Sequence, residues 1–188
     1  LGPTFLDFSF TDRNSVFGAA FRAAGMDPKA AVLLDADEQI DILRKVIYQR
    51  YGVRVEFPQQ RITRKTITGR KVKESRRRIS TRDAIDQLLD AYRQMEMLAH
   101  VFGVPHRAMG LSNSGGKSIA LSLSSRLKGA LGMFSYDAEG NRVIHLPGRS
   151  NSFAHEWGHA LDHWLGTYLF EDSDGTTMLS RDVTSEGI

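Results

Sequence analysis

"SFAHEWGHALDHWLG", residues 152–166, places three histidines, two carboxylates and two tryptophans in fifteen positions. With His155 at zero and about 100° per residue, Phe153, Ala154, Trp157, Ala160, Leu161, Trp164 and Leu165 fall between about 140° and 280°. Glu156, His159 and His163 fall between about 40° and 100°, and Asp162 near about 340°. The stretch is therefore an amphipathic helix whose polar face is made of potential ligands. Histidines kept for core packing would belong on the tryptophan face, and none is there.

Within the helix, "HEWGH" satisfies His-Glu-x-x-His. The i, i+4 spacing sets His155 and His159 one turn apart, so both imidazoles can reach one Zn2+ at about 2.0–2.1 Å. Glu156 adjoins the first ligand, where it can take a proton from a metal-activated water and return it to a leaving amine. Asp162 is suited to hold an imidazole tautomer by hydrogen bonding. His163 lies about 12 Å from His155 along a continuous helix, too far for the same ion, so it should support the ligands or face substrate. A third ligand should arrive from downstream: Glu186 first, then Glu171, Asp172 or Asp174, or equally a residue beyond Ile188. The small residues Gly158 and Ala160 should allow neighbours to approach closely.

Working outward, "GMFSYDAEGNRVIHL", residues 132–146, alternates and turns as a β-hairpin. Its second arm, "NRVIHL" at 141–146, is the expected edge strand, able to pair with an extended peptide. "STRDAIDQLLDAYRQMEMLAHVFG", 80–103, carries Ile85, Leu88, Leu89, Tyr92, Met95 and Leu98 at helical spacing, with Ser80 or Thr81 as cap and Gly103 as stop. Two earlier helices, near 14–24 and 35–51, precede a short strand "VRVEF". Residues 106–130 are rich in Gly and Ser and receive no element. Their "SGGKS" lacks the glycine a phosphate-binding loop needs at position 111, which is Leu111. Helices first, then a hairpin running into a helix, predict an α+β fold with a small, mainly antiparallel sheet packed on helices.

Residues 102–166 resemble the large polyvalent-protein-associated domains of phages and conjugative elements. Those domains pair a hairpin ending "VIxL", here Val143, Ile144 and Leu146, with a helix reading "LAHEWxHALD", here Ala154 to Asp162 preceded by Phe153. The resemblance covers about a third of the chain. It implies a zincin-like metallopeptidase fold within a longer multidomain protein delivered with DNA into a recipient cell, and hence a cytoplasmic location. The whole of 1–188 is then one zincin-like domain, a segment of a larger protein: a helical part to residue 60, a basic segment at 61–82, and the hairpin and metal-binding helix from 83 onward. A catalytically inactive structural or nucleic-acid-associated module is the competing expectation.

Composition narrows the chemistry. With 41% hydrophobic and 25% charged residues the chain has a globular profile, and no apolar run approaches the length of a membrane span. It has no cysteine, which excludes disulfides, thiolate metal sites and cysteine nucleophiles. The net charge of +3 hides an imbalance: residues 61–82 hold ten of the 25 Lys and Arg and one acid, Glu74. That segment carries +9, leaving −6 for the remainder. It is a candidate contact for DNA or RNA, with Arg76, Arg77 and Arg78 its densest cluster, and it lacks the aromatics that would stack on bases.

Overall fold

The computed structural model describes residues 13–65, 68–69, 71–77, 79–112, 116–124, 131–137, 139–148 and 151–169. Helices α1 (Arg13–Ala23), α2 (Pro28–Ala31) and α3 (Ala36–Tyr51) come first, followed by strands β1 (Arg54–Glu56), β2 (Gln59–Lys65) and β3 (Lys71–Arg77). The long helix α4 (Thr81–Phe102) and a 3-10 turn, His106–Gly110, lead to β4 (Ala120–Ser124), β5 (Met133–Tyr136), β6 (Arg142–Pro147) and α5 (Phe153–Leu169). No helix among the described residues is long and apolar enough to cross a membrane.

Helix boundaries follow local chemistry. Asp35 caps α3 through a reciprocal box with Glu38, its carboxylate accepting from Glu38 N and the Glu38 carboxylate accepting from Asp35 N. Ser80 Oγ accepts from Asp83 N at 3.1 Å at the start of α4, as the sequence predicts. Gly103 ends that helix in the left-handed region at φ 62, a conformation few side chains tolerate. The stripe on α4 is buried as expected: Ile85, Leu88, Leu89, Tyr92 and Met95 join the core, and Leu98 packs against it.

The sheet departs from the expectation. Its order is β1-β4-β6-β5, with β1–β4 and β4–β6 parallel and only β5–β6 antiparallel. The sheet is mixed, not mainly antiparallel, and the class remains α+β. The difference is β4, "ALSLS", which is buried along nearly all its length, with Ser122 at 5% exposure. A strand covered on both faces shows no polar–apolar alternation, and its serines disguise it inside a Gly- and Ser-rich stretch. Once β4 is inserted, β6 lies between two neighbours. Among the described residues the edge strands are β1 and β5, and "NRVIHL" is interior.

β2 and β3 form a separate antiparallel hairpin that carries most of the basic segment. Arg76 and Arg77, neighbours on β3, fall on opposite faces of it because successive strand residues alternate. Arg78 lies outside the described residues.

Buried polar contacts join the helices to one another. The 3-10 turn packs on the end of α3 so closely that a Cβ on Gly110 would sit 3.0 Å from the carbonyl oxygens of Tyr51 and Gly52. Nearby, the Glu96 carboxylate of α4 accepts from Arg50 Nε at 2.5 Å and from the Tyr51 hydroxyl, with His106 Nε2 3.4 Å away.

Candidate metal centre

α5 is held in place by its apolar face. Phe153, Trp157 and Ala160 are buried, Leu161 and Trp164 pack against the core, and Leu165 at the rim is 37% exposed. Both indoles are anchored to the segment after α4: Trp157 Nε1 donates to Met109 O at 2.9 Å and Trp164 Nε1 to Ser112 O at 3.1 Å. The start of the helix is fixed from α4, where Gln94 Oε1 accepts from Ala154 N at 2.7 Å. Gln94 is itself held, its Nε2 donating to Asp90 Oδ2 at 2.5 Å and to Asn151 O at 3.2 Å. Nothing in the sequence near Gln94 marks this contact, because its partner lies 60 positions away in the chain.

With that face buried, His155 and His159 are exposed on the other side. Their Nε2 atoms stand 3.2 Å apart, with ring centroids 4.7 Å apart and planes at 89°. Two nitrogens at about 2.05 Å from one ion with a tetrahedral angle between them would be about 3.3 Å apart. The pair therefore has the span a single zinc ion needs. Two neutral imidazoles sharing an N–H···N bond would have the same separation. Among the described residues no third His, Cys, Asp or Glu completes a group of three. Glu186, Glu171, Asp172 and Asp174 lie outside the described residues.

Glu156 differs from the histidines beside it. It is 6% exposed, seated against the backbone just before β5. A Cβ on Gly132 would come within 2.8 Å of Glu156 Cγ and Oε1 and 2.5 Å of Ser152 Oγ, so only glycine leaves room for that carboxylate. Ser152 Oγ in turn donates to Leu131 O at 2.7 Å, tying the start of the helix to the same segment. The supporting role of Gly132 has no periodic signature in the sequence.

These groups share one cleft of about 450 Å³, lined by Gly132, Met133, Phe134 and Tyr136 from the β5 side and by His155, Glu156, His159 and Asp162 from α5. A second concavity, about 510 Å³, lies over α3 and β1. Its lining residues Asp41 and Arg44 approach each other at 3.5 Å, and it holds no histidine.

His163 does not line the cleft. Its ring lies against Tyr136, centroids 4.0 Å apart, and near Phe134 at 5.8 Å. Its Nδ1 is buried without a hydrogen-bond partner among the described residues. Burial, aided by the positive charge of Arg142, holds its pKa below the ordinary value, against the opposing pull of Asp162. The ring packs against aromatic side chains of β5 that line the cleft. His145 belongs to the other face of the sheet from Ile144 and bonds Ser135 Oγ at 2.9 Å. Among the described residues a Cβ on Gly158 would meet nothing within 4 Å, whereas Ala160 is fully buried.

Comparison of the chain with protein-family models, with curated proteins and with solved structures finds no match.

Proposed function

We propose that the chain is a zinc-dependent peptidase in which His155 and His159 hold the ion and Glu156 moves the proton. The observation that carries this is the 3.2 Å separation of the two Nε2 atoms in a cleft that the buried Glu156 also lines. An ion held by His155 and His159 would supply a lowered pKa for a bound water and polarisation of a carbonyl. Glu156, next to the ligands and screened from bulk solvent, is suited to accept the proton of the attacking water. It then delivers that proton to the amine as the peptide bond breaks. Asp162, which lines the same cleft, would orient an imidazole. A third ligand such as Glu186 belongs to the same proposal, as do the zincin-like assignment and the kinship with polyvalent-protein domains.

The substrate path follows from the sheet. Among the described residues β5 pairs with β6 on one side only, and it contributes Met133, Phe134 and Tyr136 to the cleft. An extended peptide adding to the open side of β5 would run alongside α5, with its backbone held by strand pairing and its carbonyls passing the histidines. β-augmentation is thus expected at β5, in place of β6.

Two measurements test the proposal. Hydrolysis of an unfolded protein substrate should stop when a chelator strips the metal and return when zinc is restored; hydrolysis unaffected by chelation contradicts it. Metal binding without any hydrolysis would favour the module that does not cut. Gly132→Ala supplies a finer test. The added methyl forces the Glu156 carboxylate to shift, and a displacement of about 1 Å in a catalytic group costs on the order of 100-fold in rate. We expect kcat to fall by that order with little change in KM or in the circular dichroism spectrum. Unchanged kcat would remove Glu156 from its role.

A further inference from the structure

We infer that the β2–β3 hairpin is a binding ribbon for the phosphate backbone of double-stranded DNA, working through one of its two faces. The register sets this out. Cross-strand partners share a face, and faces alternate along each strand. The pairs Gln59–Arg77, Arg61–Ser75, Thr63–Lys73 and Lys65–Lys71 therefore lie together on one face. That face has five cations, no acid and no apolar residue. The pairs Gln60–Arg76, Ile62–Glu74 and Arg64–Val72 lie on the other. There two cations are offset by Glu74, and both apolar residues of the paired strands, Ile62 and Val72, are found. Charge is thus segregated, +5 against +1, within one small element. A plain solvated basic run gives no reason for such a division.

Like charges directly opposite, as at Lys65–Lys71, destabilise a hairpin. Such an arrangement is offset when an anion lies across it. Same-face residues repeat about every 6.8 Å along each strand, with the two rows about 4.8 Å apart. That gives a two-row lattice of positive charge suited to a line of phosphates. A two-stranded ribbon is also of a size that the roughly 12 Å major groove of B-form DNA admits, while the A-form groove of RNA is too narrow and deep. None of the paired positions is aromatic, so the unstacked bases of a single strand gain no platform. An anionic membrane is disfavoured because the cationic face offers no apolar residue to insert. Binding should be blind to sequence and strongly dependent on salt.

The test is fluorescence anisotropy of a labelled mixed-sequence DNA duplex of about 20 base pairs with the whole chain, between 50 and 200 mM salt. Five phosphate contacts predict a slope of log K against log salt near −4.5, at about −0.9 per contact. Arg61→Gln, Lys73→Gln and Arg77→Gln together should make the slope shallower by about 2.7 and weaken binding at low salt at least about tenfold. Arg64→Gln with Arg76→Gln, on the other face, should leave the slope as it is. Arg61→Lys with Arg77→Lys keeps the charge, and retained binding there separates lost contacts from a disturbed hairpin. The inference is overturned by any of three results: salt-independent or absent binding by the native chain, equal loss per charge from either face, or displacement of the duplex by anionic vesicles or polyglutamate at equal charge. None of these readouts depends on metal or on peptidase activity.

Discussion

Glu156→Gln should lower peptide hydrolysis by about 10²- to 10⁴-fold, the usual contribution of a positioned general acid–base, while leaving zinc affinity and stability close to native. The substitution keeps the shape of the side chain, which matters because Glu156 is nearly buried and packed against Gly132. An amide fits that seat without the cost of an unpaired buried charge, so the fold has no reason to change. What is lost is the proton-accepting oxygen. Glu156→Asp should fall between the two, because it keeps the carboxylate and withdraws it by one methylene. Turnover by Glu156→Gln within about threefold of native would contradict the assignment, since no other carboxylate on the described part of α5 is seated this way.

The second large effect concerns folding. Glu96→Ala should cost about 3 kcal/mol, the low end of the penalty for removing one partner of a buried ion pair, because the Arg50 side chain is 34% exposed. Glu96 is 3% exposed and its carboxylate accepts from Arg50 Nε and the Tyr51 hydroxyl, with His106 close by. Its loss leaves the buried Tyr51 hydroxyl without this acceptor and uncouples α3 and the 3-10 turn from α4. A drop of that size is a large share of the about 5–15 kcal/mol that holds a typical domain together. The midpoint of a urea transition reads it directly, and a shift of less than about 1 kcal/mol would show that the network is dispensable.

The same group makes a pH prediction. Burial pushes the Glu96 carboxyl upward, but the bonds from Arg50 and Tyr51 and the charges of Arg50 and His106 outweigh it, leaving its pKa below the usual carboxylate range. The folded chain therefore binds this proton less readily than the unfolded chain does. The stabilisation is complete above the unfolded value, about 4.3, and is lost as pH falls below it through the folded value. The gap between native and Glu96→Ala stability should thus be wide at pH 7 and narrow below about pH 4. A gap that stays constant across that range would assign the effect to packing alone.

Much of this was legible in the sequence for identifiable reasons. α3, α4 and α5 announce themselves through 3.6-residue periodicity and, in α4, a local cap. The His155–His159 pair is a consequence of helical geometry alone. β4 is hidden because burial on both faces erases alternation, and without β4 the sequence pattern leaves β6 as an edge and the sheet mainly antiparallel. The support for Glu156 was hidden for another reason. Gly132 and Gln94 act across the chain, and nothing near them in sequence marks their partners. The basic segment stands between these cases: its charge is plain in the sequence, but Arg76 and Arg77 separate onto two faces only when the cross-strand register is known.

The central claim is that two imidazoles on α5 grip one zinc ion, and calorimetric titration of zinc into the metal-free chain tests it most directly. We expect one ion per chain, binding lost in His155→Ala and in His159→Ala, and binding kept in Glu156→Gln. No zinc uptake by the native chain, or the same uptake after either histidine is removed, would mean that the two rings are merely hydrogen-bonded neighbours.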